Sequence, residues 1–140
     1  MKATVRLGEG SAFHGISGTG HRVQMDVAPE VGGCDTGPRP MEMVLLGLGG
    51  CTAIDVLSIL RKGGEPIQDM QVDLIAERSE DIPRVFRKIH VHFVLVGVNL
   101  DAKKVQRAID LSAKKYCSAS LMLNKTALIT HDFQIVEELT

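Results

Sequence analysis

Two thiols carry the chemistry this chain could do. Cys51 stands in GLGGCTAIDVL (Gly47 to Leu57), an almost unbroken apolar stretch, and Cys117 in YCSASLML (Tyr116 to Leu123). If folding brings the two sulfurs together, they can run a sulfenic acid and disulfide cycle. Each can equally serve as a small core side chain, because free cysteine is among the most buried residue types. Asp55, one helical turn after Cys51, disfavours a thiolate there, whereas a nearby arginine would favour one. For Cys117, a helix break near Ser118 would set the sulfur at the start of a new turn, whose free amides lower a thiol pKa, with Lys114 adding a cation. An ordinary solvated helix end is the alternative for Lys114 and Lys115.

The remaining candidates are plainer. Cys34 sits in Ala28 to Pro40, a loop by composition with three glycines and three prolines. A mobile, exposed thiol is expected there, open to adventitious oxidation or to use as an alternative resolving group. His90 and His92 share one strand face and could bind a metal, but no carboxylate or third ligand is visible in register, so a solvent-facing strand is expected. With no CxxC pair and no Cys/His cluster, nothing argues for zinc, and three scattered cysteines make no disulfide framework.

Composition narrows the function classes. A chain of 140 residues is about one domain, so residues 1–140 are expected to form a single one. The 16 basic and 17 acidic residues, with a net charge of -1, give no electrostatic reason to expect nucleic acid or an anionic membrane as partner. With no Trp and one Tyr there is no base-stacking platform. The start, MKATVRLGEG, has no apolar h-region or cleavage site, so a cytoplasmic location is expected.

The elements that must position the thiols follow from periodicity. Ala3, Val5 and Leu7 alternate with polar residues, as do Val23, Met25 and Val27, with a weaker run through Phe13 and Ile16 between glycine turns; together they predict a three-stranded meander. Pro38 and Pro40 suit a first helical turn, and Met43 to Leu60 is apolar or Gly except at Thr52, Asp55 and Ser58, up to the stop at Gly63-Gly64 and Pro66. This predicts one long helix, apolar nearly all round. Asp55 and the amphipathic flanking strands argue against a membrane span, so the helix needs cover on every side and a dimer is the solution.

Met70 to Glu77 and Ile89 to Leu95 alternate as the arms of a long hairpin. Asp101 is the candidate N-cap of a second helix with Val105, Ala108, Ile109, Ser112 and Tyr116 on one face. A short apolar turn, Leu121 to Leu123, leads to a last strand with Ala127, Ile129, Phe133 and Ile135 inward. The order β-β-β-α-β-β-α-β is α+β.

Three segments in this order, PRPMEMVLLGLGGC (Pro38 to Cys51), IPRVFRKIHVHF (Ile82 to Phe93) and YCSASLML (Tyr116 to Leu123), resemble the OsmC-like family of osmotically inducible and organic hydroperoxide resistance proteins. The resemblance runs through essentially the whole chain. It implies an intertwined homodimer, antiparallel sheets from both chains wrapping two central helices, with each active site at the subunit interface. It also implies a two-cysteine peroxidase: Cys51 attacks the peroxide oxygen and becomes a sulfenic acid, Cys117 condenses with it to a disulfide, and an external dithiol, often a lipoyl group, reduces that disulfide. No metal or flavin is required. An apolar pocket suits an organic hydroperoxide better than hydrogen peroxide.

This sequence departs from the family at the activating pair. The family's peroxidases carry a Glu, holding an Arg against the reactive sulfur, where this chain has Met41. Glu42 is next along but about 100° further round the helix, and a carboxylate in the first helical turn is favourable without any catalytic role. The family places the Arg in the N-terminal sheet or the loop before the first helix, which makes Arg22 and Arg39 the candidates. Met41 keeps alive a non-enzymatic dimer that binds a fatty-acid-like ligand or senses redox state. A purely structural dimer with inert thiols is the third reading.

Overall fold

The structure, a computed structural model covering Met1–Thr140, divides into two units, Met1–Leu46 and Gly47–Thr140. In the first, the alternating segments form β1 (Ala3–Leu7), β2 (Phe13–Ser17) and β3 (Arg22–Met25), an antiparallel meander in the order β1-β2-β3. Gly10 and Gly20, at φ 60 and 90, make the two turns in a conformation that side chains with a Cβ rarely adopt. The apolar face of β1 is uncovered: Val5 and Leu7 are 60% and 66% exposed.

Asp26 then organises the loop that follows. Its buried carboxylate accepts from the Ser11 hydroxyl (2.6 Å), the Thr36 hydroxyl (2.7 Å) and the amides of Val27, Cys34 and Thr36. Ser11 and then Thr36 hold this carboxyl well below the usual range, against the opposing pull of burial. The glycine- and proline-rich loop, expected to be mobile, is thus tied to a buried anchor.

The long helix forms as its prolines predict, α1 spanning Pro40–Lys62. In the second unit it buries Leu48, Thr52, Val56 and Leu60, a stripe spaced by four, together with Gly49. Glycine at position 49 lets the Leu74 side chain pack close, because a Cβ there would lie 2.7 Å from Leu74 Cδ1 and push that side chain aside. The opposite side is open: Ile54 is 70% exposed, and a Cβ at Gly47 or Gly50 would meet nothing within 4 Å.

The hairpin is β4 (Ile67–Arg78) antiparallel to β5 (Phe86–Gly97), with β6 (Leu128–Val136) on the other side of β5. Ile89, Val91, Phe93 and Leu95 of β5 are fully buried and form the core of this unit. β6 runs parallel to β5, so this sheet is mixed where only antiparallel pairing was expected. The cause is the helical connection: a crossover between β5 and β6 carries the chain back to the starting end of the sheet.

That crossover begins with α2 (Ala102–Leu111), capped as expected by Asp101, whose carboxylate accepts from the Lys103 amide at 2.9 Å. Glu65, from the turn after α1, accepts the Asp101 amide and pairs with Lys104 at 2.9 Å. Together these contacts fix the start of α2 against the end of α1. A π-helical turn, Ser112–Tyr116, and a third helix, α3 (Ser118–Leu123), complete the crossover. α3 replaces the short turn expected there.

Candidate active site

The fold brings Cys51 and Cys117 together. α1 supplies Cys51 and, one turn on, Asp55; the two sulfurs and an Asp55 carboxylate oxygen all lie within 4.8 Å of one another. Cys117 is delivered by the π-helical turn, closed by its own amide donating to the Ser112 carbonyl at 2.8 Å. Such turns are frequent at functional sites.

The thiols differ in access. Cys51 is half-buried, whereas Cys117 is 0% exposed. Burial is the main influence on Cys117 and pushes its thiol pKa up. Ser120, whose amide donates to Sγ at 3.3 Å, pulls the other way, while the neighbouring Cys51 adds to the rise. The expectation of a lowered Cys117 pKa is therefore corrected: one turn of amides does not offset complete burial, and Lys114 stands exposed in solvent.

A hydroxyl relay underlies the site. Ser112 Oγ donates to Asp55 Oδ2 at 3.1 Å and lies 3.0 Å from Thr52 Oγ1. Ser112 has a single hydroxyl hydrogen, so Thr52 must be the donor of the second bond. The direction is Thr52 to Ser112 to carboxylate, with both hydroxyls buried. The sequence flags Thr52 only as a break in an apolar run and Ser112 only as one position on a helix face. The signal available was a polar residue at a core-facing position, which demands a partner.

Asp55 also faces a cleft of about 600 Å³, bounded further by Ser58, Lys62, Arg107, Leu111 and Tyr116. Asp55 is the point at which cleft and sulfur pair meet. The two cations on the wall belong to α1 and α2, outside the segments in which an activating Arg was sought.

The other candidates are engaged elsewhere or exposed. Arg39 Nη1 pairs with Asp35 at 2.6 Å and donates to the Gly37 carbonyl, and Asp35 is what chiefly raises its pKa. Glu42 accepts the Arg39 amide at 2.9 Å, the returning half of a capping box, so its structural role is realised. Arg22 is exposed at the start of β3, and Cys34 is exposed in the anchored loop. His90 and His92 do face outward, but Asp132 of β6 stands against them, supplying the carboxylate that reading along β5 could not reveal. His131, unflagged in the sequence, stacks on Phe93 with ring centroids 6.4 Å apart. Burial lowers its pKa and leaves Nε2 without a partner.

Fold and site together define an α+β protein with a paired-thiol centre on its longest helix, and the family model described as "OsmC-like protein" matches residues 32–132. The chain belongs to the OsmC-like family. It is 48% identical to Protein YhfA of Escherichia coli (strain K12) over 136 residues, 97% of this chain and 98% of that one. Among solved structures it resembles an OsmC like protein from Mycoplasma pneumoniae (TM-score 0.82, 21% identity, 96% of each chain). It also resembles the organic hydroperoxide resistance protein OhrB of Bacillus subtilis (TM-score 0.64, 21% identity, 95% of this chain and 96% of that one). At these identities the two structural likenesses concern the fold.

Proposed function

We propose that this protein is a thiol-dependent peroxidase of organic hydroperoxides, working as a homodimer in the cytoplasm. The observation that carries the reading is the sulfur of a half-buried Cys51 within 4.8 Å of the sulfur of a fully buried Cys117. Only the first can meet a substrate, and only a group already beside it can resolve the product. The family's organic hydroperoxide resistance proteins supply the substrate class.

In the cycle, the Cys51 thiol gives its proton to Asp55 as sulfur bonds to the distal peroxide oxygen. The O–O bond breaks, and the leaving alkoxide takes that proton back from Asp55 to become the alcohol, which restores the carboxylate. The Cys117 thiol then attacks the Cys51 sulfenic acid; the S–S bond forms and water leaves. An external dithiol, of lipoyl type, restores both thiols by exchange and leaves as its own disulfide. Met41 removes the family's Glu, Arg39 and Glu42 are occupied, and Arg22 has no motif that claims it. Asp55, held by Ser112, is the base at hand.

Dimerisation is supported by apolar surface left open on the single chain: Val5 and Leu7 on β1, Leu46 and Ile54 on α1. α1 is long and apolar enough to cross a membrane. The relay from the buried Thr52 and Ser112 hydroxyls to Asp55 favours instead a helix set in a protein interior.

The test follows cumene hydroperoxide consumption with dihydrolipoate for the parent protein, Cys51→Ser and Cys117→Ser, with disulfides mapped by mass. Turnover absent in Cys51→Ser, sulfenic acid accumulating in Cys117→Ser, and a Cys51–Cys117 link in the parent are expected. Turnover that survives Cys51→Ser would sink the proposal.

A further inference from the structure

The parallel pairing of β5 and β6 sets His90 opposite Thr130 and His92 opposite Asp132. On the outward face of the sheet the two imidazoles converge on one oxygen. His90 Nε2 lies 2.9 Å and His92 Nδ1 2.7 Å from Asp132 Oδ1, and the three ligand atoms are within 4.8 Å of one another. From this geometry we propose that His90, His92 and Asp132 form a binding site for a divalent transition-metal ion, zinc in the first instance, separate from the paired thiols.

Donor chemistry and positioning both support the site. Two imidazoles and a carboxylate are borderline to hard ligands, suited to zinc, nickel or cobalt, with water in the remaining positions on this open face. Bonds of about 2.0–2.1 Å in tetrahedral geometry require donors about 3.3–3.5 Å apart. The present nitrogen–oxygen separations reach that range with small side-chain rotations. The ligands also stand on two hydrogen-bonded strands, which hold their backbones in fixed register.

Thr130 adds an outer partner. Its Oγ1 lies 2.7 Å from His90 Nδ1. With no metal, each imidazole places its hydrogen on the nitrogen facing Asp132, and the Thr130 hydroxyl donates to His90 Nδ1. With a metal, the His90 hydrogen moves to Nδ1 and donates to Thr130, freeing the Nε2 lone pair for the ion. This is the tautomer control that outer hydrogen bonds give metal-binding histidines.

The test is calorimetric titration of the reduced full-length protein with zinc chloride, for the parent, His92→Ala, Asp132→Asn, Thr130→Val and Cys51→Ser, each checked for native circular dichroism. Histidine-ring NMR of the parent is followed in parallel. One saturable site is expected, weakened at least about tenfold by His92→Ala or Asp132→Asn, less by Thr130→Val, and not by Cys51→Ser. The ring signals of His90 and His92 should move, and those of His14, His21 and His131 should not. If Asp132→Asn does not fold, the ring signals of the parent decide. Binding lost in Cys51→Ser but kept in His92→Ala, no saturable binding, or ring shifts spread over all five histidines would each overturn the site.

Discussion

The hydroxyl relay makes a prediction that no reading of the thiols alone would make. Ser112→Ala removes a bond to a carboxylate, a class contributing about 1.5–3 kcal/mol, and a neutral one contributing about 0.5–1.5 kcal/mol. Because the Asp55 bond is only part-buried, water recovers some of the first, and a total loss of about 2 kcal/mol follows. Thr52→Val keeps the side-chain shape and removes only the neutral bond, about 1 kcal/mol. In Ser112→Ala, however, the Thr52 hydroxyl, 1% exposed, is left without an acceptor. In the double variant that orphan is gone. The double variant should therefore cost about 1 kcal/mol less than the sum of the single ones. Urea denaturation of all four proteins, with thiols reduced and at one protein concentration, reads this directly. Additivity to within about 0.3–0.5 kcal/mol would mean that the two hydroxyls do not communicate and the relay is wrong.

Cys117 should impose a pH dependence on stability. Its folded pKa lies above the ordinary 9.0, so above that pH the unfolded chain releases a proton that the folded chain keeps. Stability is thus fully held below the unfolded value and falls as pH rises towards the folded one, by at most about 1.4 kcal/mol per pH unit. In denaturation curves on either side of pH 9, this slope should disappear in Cys117→Ala; a slope that remains would mean another group carries it. The glycines of α1 separate its two faces. Gly49→Ala forces the end of the Leu74 side chain to give way, which should cancel the gain of about 1 kcal/mol in helix propensity. In a monomer, Gly50→Ala should instead gain about 1 kcal/mol of helix propensity. If a second copy packs against that open face, Gly50→Ala weakens the dimer while the chain stays folded. Light scattering after size exclusion tests this, and an unchanged dimer would remove α1 from the interface.

What could be read in advance divides along physical lines. Strands and helices depend on local alternation and on Pro, Gly and Asp signals, so α1, the hairpin and the Asp101 cap were legible from the sequence. The parallel entry of β6 and the helix after Cys117 depend on how a crossover packs, which no local pattern carries. Cys51 and Cys117 could be named as candidates, but their closeness had to come from the fold. Thr52–Ser112 and His92–Asp132 were hidden for the same reason, each pair joining residues distant in sequence. The sign of the Cys117 shift escapes a reading of the sequence, because the amides that lower a pKa are visible there while the burial that raises it is not.

Asp55 is the residue on which the proposed chemistry turns. A carboxylate within 4.8 Å of two sulfurs works against a standing thiolate at either, since like charges repel across so short a gap. On the proposed cycle this is compatible with turnover only if the negative charge never rests on both groups: the proton moves to Asp55 as the S–O bond forms. Asp55→Asn separates this mechanism from one based on a preformed thiolate. Removing a repulsive carboxylate should make Cys51 alkylate faster with iodoacetamide, whereas removing a base should slow hydroperoxide turnover, by about 100-fold for a general-base role. The two readouts must therefore move in opposite directions. If both rise, Asp55 is only an inhibitory charge, and the sulfur must draw its activation from a different group.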